Sequence, residues 1–168
     1  CHKQEYVNLY DMHSELNPGG TFLLNTEWTP EELNEKLPAA MKKYFAENDI
    51  KLYIINGTQI AKEIGLGNRV NSVLQAAFFK LSNIIPIDEA VEYMKAAIKK
   101  SYGKKGDAIL NMNYAAVEQG VEKVVKVEVP AEWANVTEEA KQDKAGTPEF
   151  VKKIVEPMNA QKGDSLPV

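Results

Sequence analysis

The sequence predicts an α/β fold, a three-layer helix/sheet/helix arrangement with a mostly parallel sheet that is incomplete at the N-terminus. Two short apolar runs, Thr21-Phe22-Leu23-Leu24-Asn25 and Ile50-Lys51-Leu52-Tyr53-Ile54-Ile55, read as covered strands. Helical patterns lie before, between and after them, and that order implies crossover connections joining parallel strands. Two or three strands make a poor sheet alone, which points to sequence beyond this stretch.

Each element has its own signal. Tyr6, Leu9, Met12 or His13 and Leu16 fall on one side of a helix expected from about Gln4 to Leu16, and Asn17-Pro18-Gly19-Gly20 stops it. Thr29-Pro30-Glu31-Glu32 starts a second helix: a threonine cap, proline in the first turn, and acids at the positive end of the dipole. It runs past Pro38, with room for a break there, to Phe45. After the second strand ends in Asn56-Gly57-Thr58, a short helix from Gln59 to Ile64 leads into Gly65-Leu66-Gly67-Asn68-Arg69.

Three helices follow. Val70, Val73, Leu74, Ala77, Phe78 and Leu81 mark the first, whose other side carries no charge until Lys80, as expected of a helix buried between layers. Ile87, Ala90, Val91, Met94, Ala97 and Ile98 share a face of the next; Asp88 and Glu89 open it, Lys99 and Lys100 close it, and Gly103 caps it. The third spans about Asp107 to Gln119, with Ile109, Met112 and Ala116. Val124 to Val129 alternates and ends in Pro130, a modest strand signal. Composition shifts after Pro130. Thr137 to Gly146 reads as a linker or frayed helix. Thr147-Pro148-Glu149 starts a short helix bearing Phe150, Val151, Ile154 and Val155, halted by Pro157, and the last dozen residues read as a docking arm.

Whole-chain totals narrow the function. A length of 168 residues suits one domain, and a net charge of −4 with a sequence pI near 5.3 opposes a nucleic-acid or anionic-membrane surface. No apolar run reaches the roughly 18 residues of a membrane span. Cys1 is the sole cysteine, so no internal disulfide is possible and a cytoplasmic setting is expected. His2 and His13 lack further histidine or cysteine at ligand spacing, so no metal site is expected within this segment. The chain opens on cysteine rather than methionine and reads as an excised piece of a longer polypeptide, although tag removal gives the same beginning.

Of twenty basic residues only Arg69 is arginine. Its planar fork can grip a phosphate or carboxylate at two points, which a lysine cannot. It stands between glycines and asparagines just before a helix, where free N–H groups and a positive dipole end suit an anion. The Gly-x-Gly spacing is neither a Walker loop nor a dinucleotide fingerprint, since no Gly-Lys-Ser/Thr follows and no strand immediately precedes it. A lysine-rich composition could equally leave one arginine anywhere. Asn25-Thr26 and Asn56-Gly57-Thr58, at the carboxyl ends of the strands, read as turn and cap residues or as ligand contacts. Glu31, Glu32 and Glu35 read as dipole partners, Phe78-Phe79 as core, and Lys104-Lys105 as solvated. Ser14, Ser72 and Cys1 have no partners for an activated nucleophile.

Several blocks carry a family resemblance. Cys1-His2-Lys3-Gln4-Glu5-Tyr6-Val7 through Pro18-Gly19-Gly20-Thr21-Phe22-Leu23-Leu24-Asn25-Thr26, then Gly67-Asn68-Arg69-Val70-Asn71 with Gln75-Ala76-Ala77-Phe78-Phe79-Lys80-Leu81, resemble the pyruvate:ferredoxin (or flavodoxin) oxidoreductases, specifically the gamma-type third domain of the single-chain form. That resemblance covers 1–133. The remainder, 134–168, with Pro148-Glu149-Phe150-Val151, Glu156-Pro157-Met158-Asn159-Ala160 and Gly163-Asp164-Ser165-Leu166-Pro167, resembles the family's passage into its next small domain.

The resemblance implies a parent enzyme, of pyruvate synthase type, that oxidatively decarboxylates pyruvate, passes the acetyl unit to coenzyme A, and sends electrons to ferredoxin or flavodoxin. It implies thiamine diphosphate, Mg2+ and [4Fe-4S] clusters held by other domains of the same polypeptide, in a homodimer. The third domain covers the coenzyme A side and stabilises the assembly. The family's glycine-rich loop at the coenzyme site precedes Cys1, and the isolated fragment is expected to be inactive. Within this frame Asn68, Arg69 and Asn71 are the candidate contacts to coenzyme A. Three alternatives stand beside it: a non-catalytic packing domain with Arg69 as a structural anchor, a sister enzyme for another 2-oxoacid, and a self-standing α/β small-ligand module.

Overall fold

A computed structural model describes residues 1–137, 148–159 and 163–165. Its sheet has three strands in the order β1-β2-β3: β1 Thr21–Asn25, β2 Lys51–Ile55 and β3 Val125–Val127. β1 and β2 are parallel, with Phe22 opposite Leu52 and Leu24 opposite Ile54. β3 joins antiparallel at the edge, Leu52 facing Val127, so the sheet is mixed around one parallel pair. Alternation reports which side chains are covered and carries no direction, so the sequence left β3's sense open.

Strand alternation divides the core in two. Phe22, Leu24, Leu52, Ile54 and Val127 face a layer made by α2 Pro30–Lys36, α3 Ala39–Glu47 and a 3-10 turn at Ala131–Asn135, contacting Leu33, Met41, Phe45 and Trp133. Leu23 and Ile55 face α4 Gly57–Glu63, α5 Asn71–Ser82 and α7 Asp107–Glu122. α6 Ile87–Tyr102 packs outside α5 and α7 through Met94, Ile98, Ala76 and Val117. Helices therefore cover both faces of the sheet. Among the described residues no helix is long and apolar enough to cross a membrane.

The start of α2 follows its sequence signal. Thr29 Oγ1 accepts the Glu32 N–H at 3.3 Å and Glu32 Oε2 accepts the Thr29 N–H at 2.9 Å, a reciprocal capping box with Pro30 in the first turn. Leu37 and Pro38 break the helical run because the residue before proline is pushed to extended geometry. The Lys36 hydrogen bond, and then the Thr29 N–H, hold the Glu32 carboxyl below its ordinary value of 4.5. A lowered folded pKa stabilises above that value, and the contribution is lost as pH falls through the folded pKa. Thermal midpoints below pH 4.5 are therefore expected to fall less steeply with acid in Glu32→Gln than in the parent sequence.

Four sequence expectations are corrected. The helix from Gln4 to Leu16 shrinks to α1, Tyr6–Leu9. Tyr10 turns extended, Asp11 Oδ1 accepts the Ser14 N–H at 3.3 Å, and the Leu16 carbonyl accepts from Tyr44 Oη at 2.6 Å. Those contacts still place Met12 and Leu16 on the core, which explains a helix-like pattern without a helix. Gly103 follows α6 with right-handed φ −56°, and the left-handed turn falls instead at Gly106, φ +99°. Phe78 is 52% exposed; only Phe79 reaches the α6 contact. Pro157 does not halt the last helix: a π-helical stretch Val151–Val155 passes into α8 Glu156–Asn159, which includes Pro157. The expected linker from Thr137 to Gly146 lies, beyond Thr137, outside the described residues, as do Thr147 and most of the terminal arm.

Candidate functional site

The arginine loop is built from the end of α4. Gly65, at φ +84°, lets its own N–H reach Lys62 O at 3.1 Å and the Leu66 N–H reach Ala61 O at 2.8 Å, closing the helix in a Schellman arrangement. Leu66 is buried beneath it. Gly67, at φ +61°, then makes a tight turn in which Arg69 N–H donates to Leu66 O at 3.2 Å. Both glycines thus have backbone duties that explain the Gly-x-Gly spacing without a ligand.

α5 opens without a side-chain cap, on Val70 at φ −87° and ψ −6°. Its first intrahelical bond is Leu74 N–H to Val70 O at 3.0 Å, so the N–H groups of Asn71, Ser72 and Val73 have no partner within the helix. Asn68, Arg69 and Asn71 are all exposed around this end. Among the described residues Arg69 has no ion-pair or side-chain hydrogen-bond partner. The three residues singled out from sequence therefore share one exposed loop, where a cation and free N–H groups favour an anion.

The loop lies by the carboxyl ends of the strands, as expected. A Cβ built on Gly57, just past β2, would come 3.1 Å from Asn25 Oδ1 and 3.3 and 3.6 Å from Leu74 and Val73 of α5. The strand-end polar groups, however, are occupied by the fold. Asn25 Oδ1 accepts the Gly57 N–H at 2.8 Å and its Nδ2 donates to His2 O at 3.0 Å. Thr26 Oγ1 donates to Gln4 Oε1 at 2.7 Å and accepts the Trp28 N–H at 3.0 Å. Asn56 caps α4 through the Gln59 N–H at 2.9 Å. Asn25 and Thr26 thus tether separate segments, and Asn56 caps its own helix.

A groove of about 390 Å³ begins at the same end. Asn71 and Ser72 of α5 and Ser101 and Tyr102 of α6 wall it there, and Phe79, Met94 and Ile98 line it further along. The sequence had suggested no groove, because each helix shows its own apolar face and not the gap between two. Among the described residues no group of three or more His, Cys, Asp or Glu side chains could hold a metal. A single cysteine cannot supply the four thiolates of an iron–sulfur cluster, and among the described residues no carboxylate cluster offers a Mg2+–diphosphate site. The residues present do not fit those groups.

Fold and site define an α/β domain with helices on both faces of a small sheet and an anion-suited helix start beside the strand ends. The family described as pyruvate ferredoxin/flavodoxin oxidoreductase matches residues 1–123, and a domain of unknown function matches residues 137–168. The chain belongs to the pyruvate ferredoxin/flavodoxin oxidoreductase family. It is 49% identical over its whole length to a pyruvate:ferredoxin oxidoreductase of Moorella thermoacetica and 52% identical to a pyruvate-flavodoxin oxidoreductase of Enterobacter agglomerans. It spans 14% of the length of each of these relatives. The fold is similar to that of the pyruvate oxidoreductase subunit PORC from Thermotoga maritima, with a TM-score of 0.50 and 20% identity over 69% of this chain and 61% of that one.

Proposed function

We propose that the chain is one domain of a single-chain pyruvate:ferredoxin or pyruvate:flavodoxin oxidoreductase, with residues 1–133 as its gamma-type third domain and 134–168 leading to the next. The parent converts pyruvate and coenzyme A to acetyl-coenzyme A and CO2, and the two electrons released pass to ferredoxin or flavodoxin. Thiamine diphosphate, Mg2+ and [4Fe-4S] clusters belong to other domains of that homodimeric cytoplasmic enzyme. This domain covers the coenzyme A side, where Asn68, Arg69 and Asn71 contact a phosphate or the pantetheine arm.

The uncapped start of α5 beside an unpaired Arg69 carries the reading. An arginine two residues ahead of three N–H groups without a partner in the helix offers an anion both a bidentate partner and a dipole end. Arg69→Lys in the full enzyme is expected to raise the KM for coenzyme A roughly tenfold, the loss of about one charge-assisted hydrogen bond. The pyruvate decarboxylation step before coenzyme A enters is expected to stay unchanged. Steady-state titration of coenzyme A checks it, and an unaltered KM removes Arg69 from the site. A second reading, a packing domain without ligand contacts, draws support from the strand-end residues being consumed by internal hydrogen bonds. Under it Arg69→Lys lowers the melting temperature and leaves the KM where it was.

A further inference from the structure

The outer helical layer leaves one face unlike the rest of the surface. Lys80 is the sole charged residue in α5, and its Nζ is turned aside to Val121 O at 2.7 Å. Asn71, Gln75 and Phe78, spaced four and three apart, form a neutral exposed stripe on that helix. Opposite them α6 exposes Tyr93 and Ala97 across the groove. Phe78 is 52% exposed, Tyr93 65%, and Ile84, in the turn joining the two helices, 70%. Charged residues make up 26% of the chain, so a charge-free face with exposed aromatics stands out. Depletion of charge with aromatics and methionine at the centre is the composition of an interface core.

α6 itself carries charge of opposite sign at its two ends, outside the lining of the groove. Asp88, Glu89 and Glu92 gather with Tyr93 around a shallow depression at the start of α6. Lys99 and Lys100 close α6 at the other end, beside Ser101 and Tyr102. Among the described residues none of these five charged side chains takes part in an ion pair.

We propose that the α5–α6 groove is the seat of another domain of the same polypeptide. The segment that fills it carries apolar side chains to meet Phe79, Tyr93, Met94 and Ile98. The choice of occupant rests on the reading of this chain as part of a longer enzyme. Relatives hold most of their length outside the region matched here, so a covalently attached partner is present at high effective concentration. A second copy fits less well. A two-fold contact would set one concave groove against another and leave the pair unfilled.

Replacing Tyr93 by the photo-crosslinker p-benzoyl-phenylalanine in the full-length parent tests this. After irradiation, denaturing electrophoresis and peptide mass mapping are expected to show an unchanged chain mass and a cross-link from α6 to a peptide of the same polypeptide outside residues 1–168. A doubled chain mass would instead make the occupant a second copy and overturn the proposal. So would a cross-link to a separate protein, or no cross-link at all. The parent's own denatured mass keeps the two readings apart. A polypeptide no longer than this chain ends the multidomain reading, whereas a long one without the internal cross-link ends the docking proposal alone.

Discussion

Gly120→Ala is expected to destabilise the helical layer strongly, although glycine-to-alanine exchange inside a helix is usually favourable. Gly120 lies within α7 and is buried against α5. A Cβ there would fall 2.3 Å from the Val73 carbonyl oxygen and 2.9 Å from the Ala76 Cβ. The first obstacle is backbone inside another helix, so no rotamer change relieves it. The two helices must move apart, which loosens Val73, Ala76 and Ala77 against Ala116 and Val117. Helix propensity returns about 1 kcal/mol for the exchange, while overpacking a tight contact costs about 1–3 kcal/mol and more when backbone must shift. The clash wins. The expected result is a melting temperature several degrees lower, roughly 2–4 °C for each kcal/mol in a domain of this size. Faster amide exchange is expected in α5 and α7 of the full-length protein, with the α2–α3 layer unaffected. A neutral or higher melting temperature would mean that α5 and α7 lie further apart than described.

This contact shows what the sequence conceals. The third late helix was expected to end at about Gln119, one residue before this glycine. Here the glycine sits inside the helix, as the point of closest approach to a partner 47 positions earlier in the chain. An isolated glycine within a helical pattern is itself a packing signal, and it was the usable clue. Local rules sufficed elsewhere. Thr21–Asn25 forms as expected because a run of apolar residues between turn signals leaves few alternatives, and Leu37-Pro38 breaks the α2–α3 run through a steric effect confined to two residues. The region before Gly19 failed for the opposite reason. Met12 and Leu16 meet the core, but the path between them is set by Asp11, Tyr44 and distant backbone. At the site, a lone arginine was conspicuous by composition. The uncapped helix beside it was visible only in three dimensions.

Trp133→Ala is expected to carry the other large effect, and it concerns where the domain ends. The family match stops at residue 123, yet β3 and the turn at Ala131–Asn135 complete the first core. Trp133 is 2% exposed in the cluster that includes Leu33, Met41 and Phe45. Its indole N–H donates to Asn34 Oδ1 at 2.7 Å. Truncation to alanine leaves a ring-sized void beside α3, an effect of about 3–5 kcal/mol. Trp133→Phe retains most of the apolar contact and frees Asn34, which is exposed enough to turn to water, so only about 1 kcal/mol is expected. Denaturant unfolding of the three proteins, read at a probe within the α2–α3 layer, separates the void from the hydrogen bond. The same logic extends to the boundary. A product ending at residue 123 lacks both Val127 and Trp133, exposing one edge of β2 and the α3 side of the core, and is expected to unfold without a cooperative transition. One ending at 137 keeps every buried residue of that cluster and is expected to regain it. If the shorter product unfolds as sharply as the longer, Trp133 belongs to the linker rather than to the domain.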